Sequence, residues 1–247
     1  MEYFGLTDKG RVRPTNQDIF QIEAREDNQT ALLVVCDGMG GANAGNVASR
    51  FAAQSFIESA GDALSGTLDE TARQNLLTQA LKQANETVFS LAGRQPEFRG
   101  MGTTLVGGVI KSGGNGYIIN VGDSRAYHIS KRANSIYQIT RDHSLVEELV
   151  EAGAITKEQA RLHPQKNVIT RALGSEAEVR PDYFEFTLQP GDILLLCSDG
   201  LSNMVTDLEM LEYAKEYQDP ELICRALMSK ALIRGARDNV TVVAVMR

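Results

Sequence analysis

No apolar run in the chain approaches the roughly 20 residues that a helix needs to cross a bilayer, so no membrane insertion is expected. The opening stretch MEYFGLTDKG has no charged-then-apolar signal pattern, which predicts a cytoplasmic protein. Cysteine is scarce. Three residues, an odd count without framework spacing, exclude a disulfide scaffold and point to a reducing compartment. Cys36 and Cys197 lie in apolar runs beside acids and are expected to be buried small hydrophobes. Pro-rich, Ser-rich and low-complexity segments are missing, so no linker divides residues 1–247 and a single domain is expected. Basic charge is also short. Lys and Arg number 25 against 32 Asp and Glu, a formal net charge of −7, which argues against general nucleic-acid binding but not against an acidic protein that holds cations.

What is present fits an ordinary globular domain. The chain has 247 residues, 43% hydrophobic and 23% charged, enough to bury a core without covalent staples. Strands are predicted at YFGLTDKG, DIFQIEA and TALLVVC, then a helix over about Asn46 to Ser59. A second helix begins near Asp69, where Thr67 and Glu70 offer a capping box, and Gly93 can end it. Along it Ala72, Leu76, Ala80, Ala84, Val88 and Leu91 form the predicted core stripe. TTLVGGVI, GYIINVG, RAYHIS and SIYQIT read as an antiparallel meander. Residues from Asp142 to about Arg180 turn helical and polar, then loose, as an inserted flap would. Strands at DYFEFTL and DILLLC follow, then helices around Asp207–Tyr217 and Pro220–Arg234, and a last strand, NVTVVAVM. Strands grouped away from long helices imply sheets covered by helices rather than alternating βαβ units.

Two stretches share one design. LLVVCDGMGG, Leu32 to Gly41, and DILLLCSDG, Asp192 to Gly200, each run an apolar strand into Asp-Gly. Further acids stand near strand ends at Asp18, Asp123 and Asp238. One such acid is an ordinary turn residue. Several at one end of a core would repel one another and lose hydration, which is tolerable when cations sit between them. All the candidate ligands offer oxygen. The three histidines are scattered and the cysteines lack paired spacing, so zinc is disfavoured and Mg²⁺ or Mn²⁺ is favoured. Two such ions sharing a carboxylate and a bridging water would make that water a nucleophile near neutral pH. Gly38 can bring its carbonyl close to a metal, and Gly40 and Gly41 leave room for a substrate. Arg13, five residues before Asp18, is the best candidate to grip a phosphate, although spacing alone does not choose between it and Arg11.

The Gly-rich turn invites a nucleotide-binding reading, which fails. Gly38 to Asn43 has Asn where the third glycine of G-x-G-x-x-G belongs, and Asn46-Val47 replaces the Lys-Ser/Thr of a P-loop.

Taken together, RVRPTNQD, VVCDGMGG, GMGTTLVGG, INVGDSRAY, DHSL, LLLCSDGLSNMV and RDNVTVVAV resemble, in order, the motifs of bacterial metal-dependent protein phosphatases, the PPM or protein phosphatase 2C-like family. The resemblance runs from Leu6 to Val245. It implies an α+β, four-layer αββα sandwich: two mostly antiparallel sheets flanked by helices, with a flap subdomain at about residues 144–173. It implies a binuclear Mn²⁺ or Mg²⁺ centre with a weaker third ion. Asp37 would bridge the two core metals and the Gly38 carbonyl would bind one. Asp199 and Asp238 would hold the first metal, with Asp18 nearby in its shell and acting partly through water, and Asp123 with Asp199 would hold the third. Arg13 would grip the phosphate of phosphoserine or phosphothreonine while water activated at the centre attacks phosphorus in line.

By the same resemblance the partners would be phosphorylated Ser/Thr proteins and a cognate Ser/Thr kinase; a monomer is expected. Two residues depart from the animal branch of the family: Met39 stands where a histidine is the proposed general acid, and Gln17 stands where those enzymes have Glu. A metal-bound water is then the preferred proton donor. For His143 a structural role at the base of the flap is favoured. The flap lies beside the active site in relatives and is expected to help choose substrates, with Arg161, Lys166 and Arg171 as ordinary solvated charges. Two other functions compete: a catalytically silent regulatory or binding module, and a small-molecule phosphohydrolase.

Overall fold

The computed structural model describes residues 1–24, 29–41, 44–64 and 68–247. Two antiparallel sheets are stacked face to face. The first joins β1 (Glu2–Asp8), β11 (Val240–Met246), β10 (Ile193–Cys197), β7 (Arg125–Ser130) and β8 (Ser135–Gln138), in that order. The second joins β2 (Asp18–Ala24), β3 (Thr30–Met39), β5 (Leu105–Lys111), β6 (Asn115–Val121) and β9 (Asp182–Thr187), and the short β4 (Gly102–Thr103) pairs with the end of β3. Helices α1 (Ala44–Ala60) and α2 (Glu70–Arg94) cover the second sheet. Helices α6 (Asp207–Glu216) and α7 (Pro220–Ile233) cover the first. The four layers are the expected αββα sandwich.

The period-2 alternation of the strands explains why three cores form. In β3, Leu32, Val34 and Cys36 point to α1 and α2, whereas Ala31, Leu33 and Val35 point between the sheets. In β10, Ile193, Leu195 and Cys197 face α6 and α7, whereas Leu194 and Leu196 face the inter-sheet core. A strand buried on both faces needs this continuous apolar run, and each fully buried Leu or Ile contributes roughly 1.5–3 kcal/mol. The alternation also places the acids. Asp37 continues the inter-sheet series of Ala31, Leu33 and Val35. Asp18 does the same for Phe20 and Ile22, which pack against the inter-sheet core. Asp18 and Asp37 are direct cross-strand partners in the β2–β3 register.

Three expectations need correction. The middle strands are not one meander. β5–β6 and β7–β8 are hairpins in different sheets, and the chain crosses between sheets at residues 122–124. The core stripe of α2 is rotated: Arg73, Leu77, Ala80, Leu81, Ala84, Asn85 and Val88 are buried, while Ala72, Leu76 and Leu91 are half-buried. The helix is capped by Asp69, whose side chain accepts from the Ala72 N–H at 2.7 Å, and it runs through Gly93 to Arg94. Thr67 of the predicted capping box lies outside the described residues. Cys36 and Cys197 are free and buried, as small hydrophobes are expected to be, and so is Cys224. Among the described residues no helix is long and apolar enough to cross a membrane.

Candidate active site

Five acids converge on one end of the sandwich because five chain segments end or begin there. Asp18 opens β2 and Asp37 lies near the end of β3. Asp123 sits in the crossing from β6 to β7. Asp199 opens α5 (Asp199–Ser202) just after β10, and Asp238 precedes β11. A cleft of about 220 Å³ opens at this end, lined by Arg13, Gln17, Asp37, Gly38, Met39, Gly40, Thr104, Asp123, Asn167, Ile169, Asp199 and Asp238. Asp18 stands behind the wall, buried against the paired ends of β10 and β11.

The electrostatics of this end are those of a site short of cations. Burial, then the charges of Asp18, Asp199, Asp123 and Asp238, push the Asp37 carboxyl well above the ordinary carboxylate range. Burial and the charges of Asp199 and Asp142 do the same to Asp123. Asp199 is raised by burial and Asp238, with a hydrogen bond to Asp37 working the other way. Asp18 is pushed up to about 7, chiefly by burial, although Ser198 Oγ (2.7 Å) and Thr241 Oγ1 (2.8 Å) both donate to its Oδ2. Against these acids, Arg13 is the one cation in the cleft wall among the described residues, and its guanidinium pairs with Asp238 at 2.7 Å.

The set fits divalent cations. Asp18 Oδ1 and Asp199 Oδ1 are buried with no hydrogen-bond partner, an arrangement that costs free energy unless a cation or its water fills the gap. All five side chains are carboxylates, the hard oxygen donors that Mg²⁺ and Mn²⁺ prefer. Gly45, at the start of α1, packs closely on the Gly38 carbonyl, since a Cβ there would lie 2.7 Å from Gly38 O. A Cβ on Gly38 itself would lie 2.0 Å from Gly45 O, so the turn after Asp37 closes only with glycine at both places. No group of three or more acids, histidines or cysteines forms a preformed metal cage among the described residues. Arg13 neutralises Asp238 instead.

The structure therefore brings Arg13, Asp37, Gly38, Asp123, Asp199 and Asp238 into one wall, with Asp18 behind them, and leaves Arg11 out of it. Burial pushes the Cys36 thiol well up, with the Asp18 and Asp37 charges adding, so it is no nucleophile. His143 is buried outside the wall. Its Nδ1 accepts from the Gly122 N–H at 3.1 Å and its Nε2 faces Asp182 at 3.3 Å. Burial lowers its pKa, despite Asp182. A neutral ring with Nε2–H toward Asp182 satisfies both contacts, and it fastens the segment after β8 to the backbone beside Asp123. The segment that follows carries α3 (Leu145–Glu151) and α4 (Lys157–Leu162). A bridge between Ser144 and Ile169 closes it at its base, and Asn167 and Ile169 reach the cleft. Arg161, Lys166 and Arg171 are not simply solvated charges. They contact Asp207 (3.8 Å), Asn203 (3.0 Å) and Asp182 (3.0 Å), and all but Asp182 are partners on α5 and α6 or between them.

Neutral residues were missed. Thr104 Oγ1 accepts the Asp37 N–H at 3.0 Å and shares a 2.7 Å hydrogen bond with Ser124, while Thr103 Oγ1 donates to the Asp37 carbonyl at 2.9 Å. Ser198 and Thr241 hold Asp18. Ser124 and Ser198 directly adjoin the candidate acids Asp123 and Asp199, and that adjacency was the available signal; Thr103, Thr104 and Thr241 carry none.

The family described as Protein phosphatase 2C matches residues 11–232. Serine/threonine phosphatase stp of Listeria welshimeri is 39% identical over 241 residues, 98% of this chain and 94% of that protein. The crystal structure of serine/threonine phosphatase Stp1 from Staphylococcus aureus superposes with a TM-score of 0.90 at 38% identity, covering 100% of this chain and 94% of that one. The catalytic domain of the serine threonine protein phosphatase PstP, solved in complex with two manganese ions, superposes with a TM-score of 0.82 at 34% identity over 98% and 96% of the two chains.

Proposed function

The chain belongs to the protein phosphatase 2C family, and on that premise we propose how its residues divide the work of a divalent-metal-dependent protein Ser/Thr phosphatase. Asp37 and the Gly38 carbonyl would hold two core ions, Mn²⁺ or Mg²⁺, with Asp37 common to both and Gly38 serving one. Asp199 and Asp238 would hold the first ion, with Asp18 nearby in its shell, and Asp123 with Asp199 would hold a weaker third ion. When bound, the ions supply Lewis-acid charge and activate the attacking water. Arg13 leaves Asp238 for the phosphate of the substrate, to which its planar fork is suited, and aligns phosphorus in the cleft. The segment of about residues 144–173 acts as a flap that meets the substrate protein, since Asn167 and Ile169 stand in the cleft wall. We place the enzyme in the cytoplasm as a monomer, working opposite a Ser/Thr kinase, a setting that suits three free thiols.

One observation carries this assignment: two buried, unpartnered carboxylate oxygens in a group of five acids at a cleft whose wall holds, among the described residues, one cation, Arg13. A silent binding module would have no need to keep all five acids. The test is hydrolysis of a phosphothreonine peptide by EDTA-treated protein before and after Mn²⁺ or Mg²⁺ is restored, with metabolite phosphates assayed in parallel. Loss and recovery of peptide turnover is expected. Folded protein that stays inactive with every metal would contradict the assignment, and turnover confined to metabolite phosphates would replace it with the small-molecule reading.

A further inference from the structure

Asn239 follows Asp238 directly and is only 4% exposed. An amide side chain has two N–H donors and a carbonyl acceptor, and this one uses both ends. Nδ2 donates to the carbonyls of Lys9 and Thr15, each at 2.9 Å, and Oδ1 accepts from the Gln17 N–H at 2.8 Å. Two carbonyls on one side and an N–H on the other admit one orientation of the amide. The three partners are the two stems of a single loop, residues 9–17, which carries the chain from β1 in one sheet to β2 in the other across the acidic end. Its apex holds Val12, 67% exposed, and Arg13, whose side chain is half exposed.

Other contacts press the same loop onto the same place. The Arg11 N–H donates to Ala236 O at 2.9 Å. Gly10 has φ +77°, and a Cβ on it would lie 2.2 Å from Asp238 O, so the first stem lies directly on the Asp238 backbone. From this geometry we infer that Asn239 is a positioning residue for the phosphate grip: by clamping both stems of the 9–17 loop it sets where the Arg13 guanidinium stands relative to Asp238. Adjacent residues then serve the two halves of the site, Asp238 on the metal side and Asn239 on the phosphate side. The inference rests on the assignment of Arg13 as that grip. Small misplacements of a positioning group are costly, on the order of a hundredfold for 1 Å, which is why a clamp at both stems matters.

The test is a double-mutant cycle on phosphothreonine peptide hydrolysis at saturating Mn²⁺, together with calorimetric titration of Mn²⁺. Asn239→Ala is expected to raise KM by about tenfold, with kcat and Mn²⁺ affinity within about twofold, and to add nothing to KM in an Arg13→Ala background. An Asn239 that only stabilised the fold would lower kcat through loss of folded enzyme, leave KM unchanged, and multiply with Arg13→Ala; that pattern overturns the inference. A fall in Mn²⁺ affinity overturns it too, because the residue would then act through Asp238. If Asn239→Ala does not fold, Asn239→Ser, which keeps one donor toward the stems, is judged by the same criteria. An unchanged KM in Arg13→Ala alone would remove the grip assignment and this inference with it, whereas a raised KM there without coupling to Asn239 would remove only the clamp.

Discussion

Asp192 and Asp199 stand at opposite ends of β10, with five apolar residues between them. At the first end every buried polar group has found a partner. Asp192 Oδ2 accepts from the Gln189 N–H at 2.9 Å and meets His128 Nε2 at 2.7 Å, and His128 Nδ1 meets the Tyr137 hydroxyl at 2.6 Å. Burial opposes the charge on Asp192, but the Gln189 N–H and His128 outweigh it and hold its carboxyl below the ordinary range. At the second end Asp199 keeps a buried oxygen without a donor, shares its surroundings with four other acids, and is raised. The same strand thus ends once in a satisfied network, which locks β7 and β8 to β10, and once in an unsatisfied one. Only the second is poised to take up something from outside the chain. An acid at a strand end says little alone; the balance of its partners tells structure from site.

Substitutions at the two ends should separate them most sharply. Asp37→Ala or Asp199→Ala is expected to lower phosphopeptide turnover by at least a thousandfold, corresponding to several kcal/mol of lost electrostatic stabilisation, while circular dichroism stays native. Asp192→Asn should do the reverse. Loss of a buried charged acceptor costs roughly 1–3 kcal/mol and so lowers Tm by several degrees, with kcat/KM within about twofold. A turnover loss in Asp192→Asn comparable to that in Asp199→Ala would erase the distinction.

Arg13, the cation of the cleft wall among the described residues, gives a smaller effect. Arg13→Ala should raise KM for phosphopeptides by roughly tenfold to a hundredfold, the worth of a charge-assisted hydrogen-bond pair, while Arg11→Ala stays near wild type in steady-state kinetics. The opposite ranking would move the grip to Arg11.

The pH dependence of stability follows from the raised carboxyls. A folded-state value above the unfolded one means that the native protein binds protons more tightly, so the stabilisation is complete below the unfolded range near 4 and is lost as pH rises through the folded value. With Asp18 near 7 and Asp37 and Asp123 well above the ordinary range, chelated protein should melt at lower temperature as pH is raised from about 5 to 8. Saturating Mn²⁺ should remove most of that drop in differential scanning calorimetry. A chelated protein whose Tm is flat or rises over that interval would mean that these acids do not repel one another.

Much of this was legible in the sequence, for reasons that individual residues make plain. The unbroken apolar run from Leu32 to Cys36 and the Asp-Gly ends marked a strand buried on both faces and where it stops being apolar. The five candidate side-chain ligands are all acidic, so charge and position sufficed to nominate them. The crossing at residues 122–124 was hidden because hairpin signals on either side are the same whether consecutive strands share a sheet or not. The rotated stripe of α2 was hidden because two core positions are polar. Arg73 sends its guanidinium to the carbonyls of Ala63 and Leu68, and Asn85 holds the backbone of residues 174, 176 and 177. Asn239, Thr104, Ser198 and Thr241 escaped for a related reason: a neutral side chain that satisfies backbone or carboxylate partners leaves no periodicity and no charge to read.

The most direct measurement is calorimetric titration of Mn²⁺ into chelated wild-type protein, Asp37→Ala and Asp192→Asn. Wild type and Asp192→Asn should bind with the same affinity and number of ions, and Asp37→Ala should lose the tight sites. Equal binding by all three would contradict the claim that the unsatisfied end of the sandwich is the metal site.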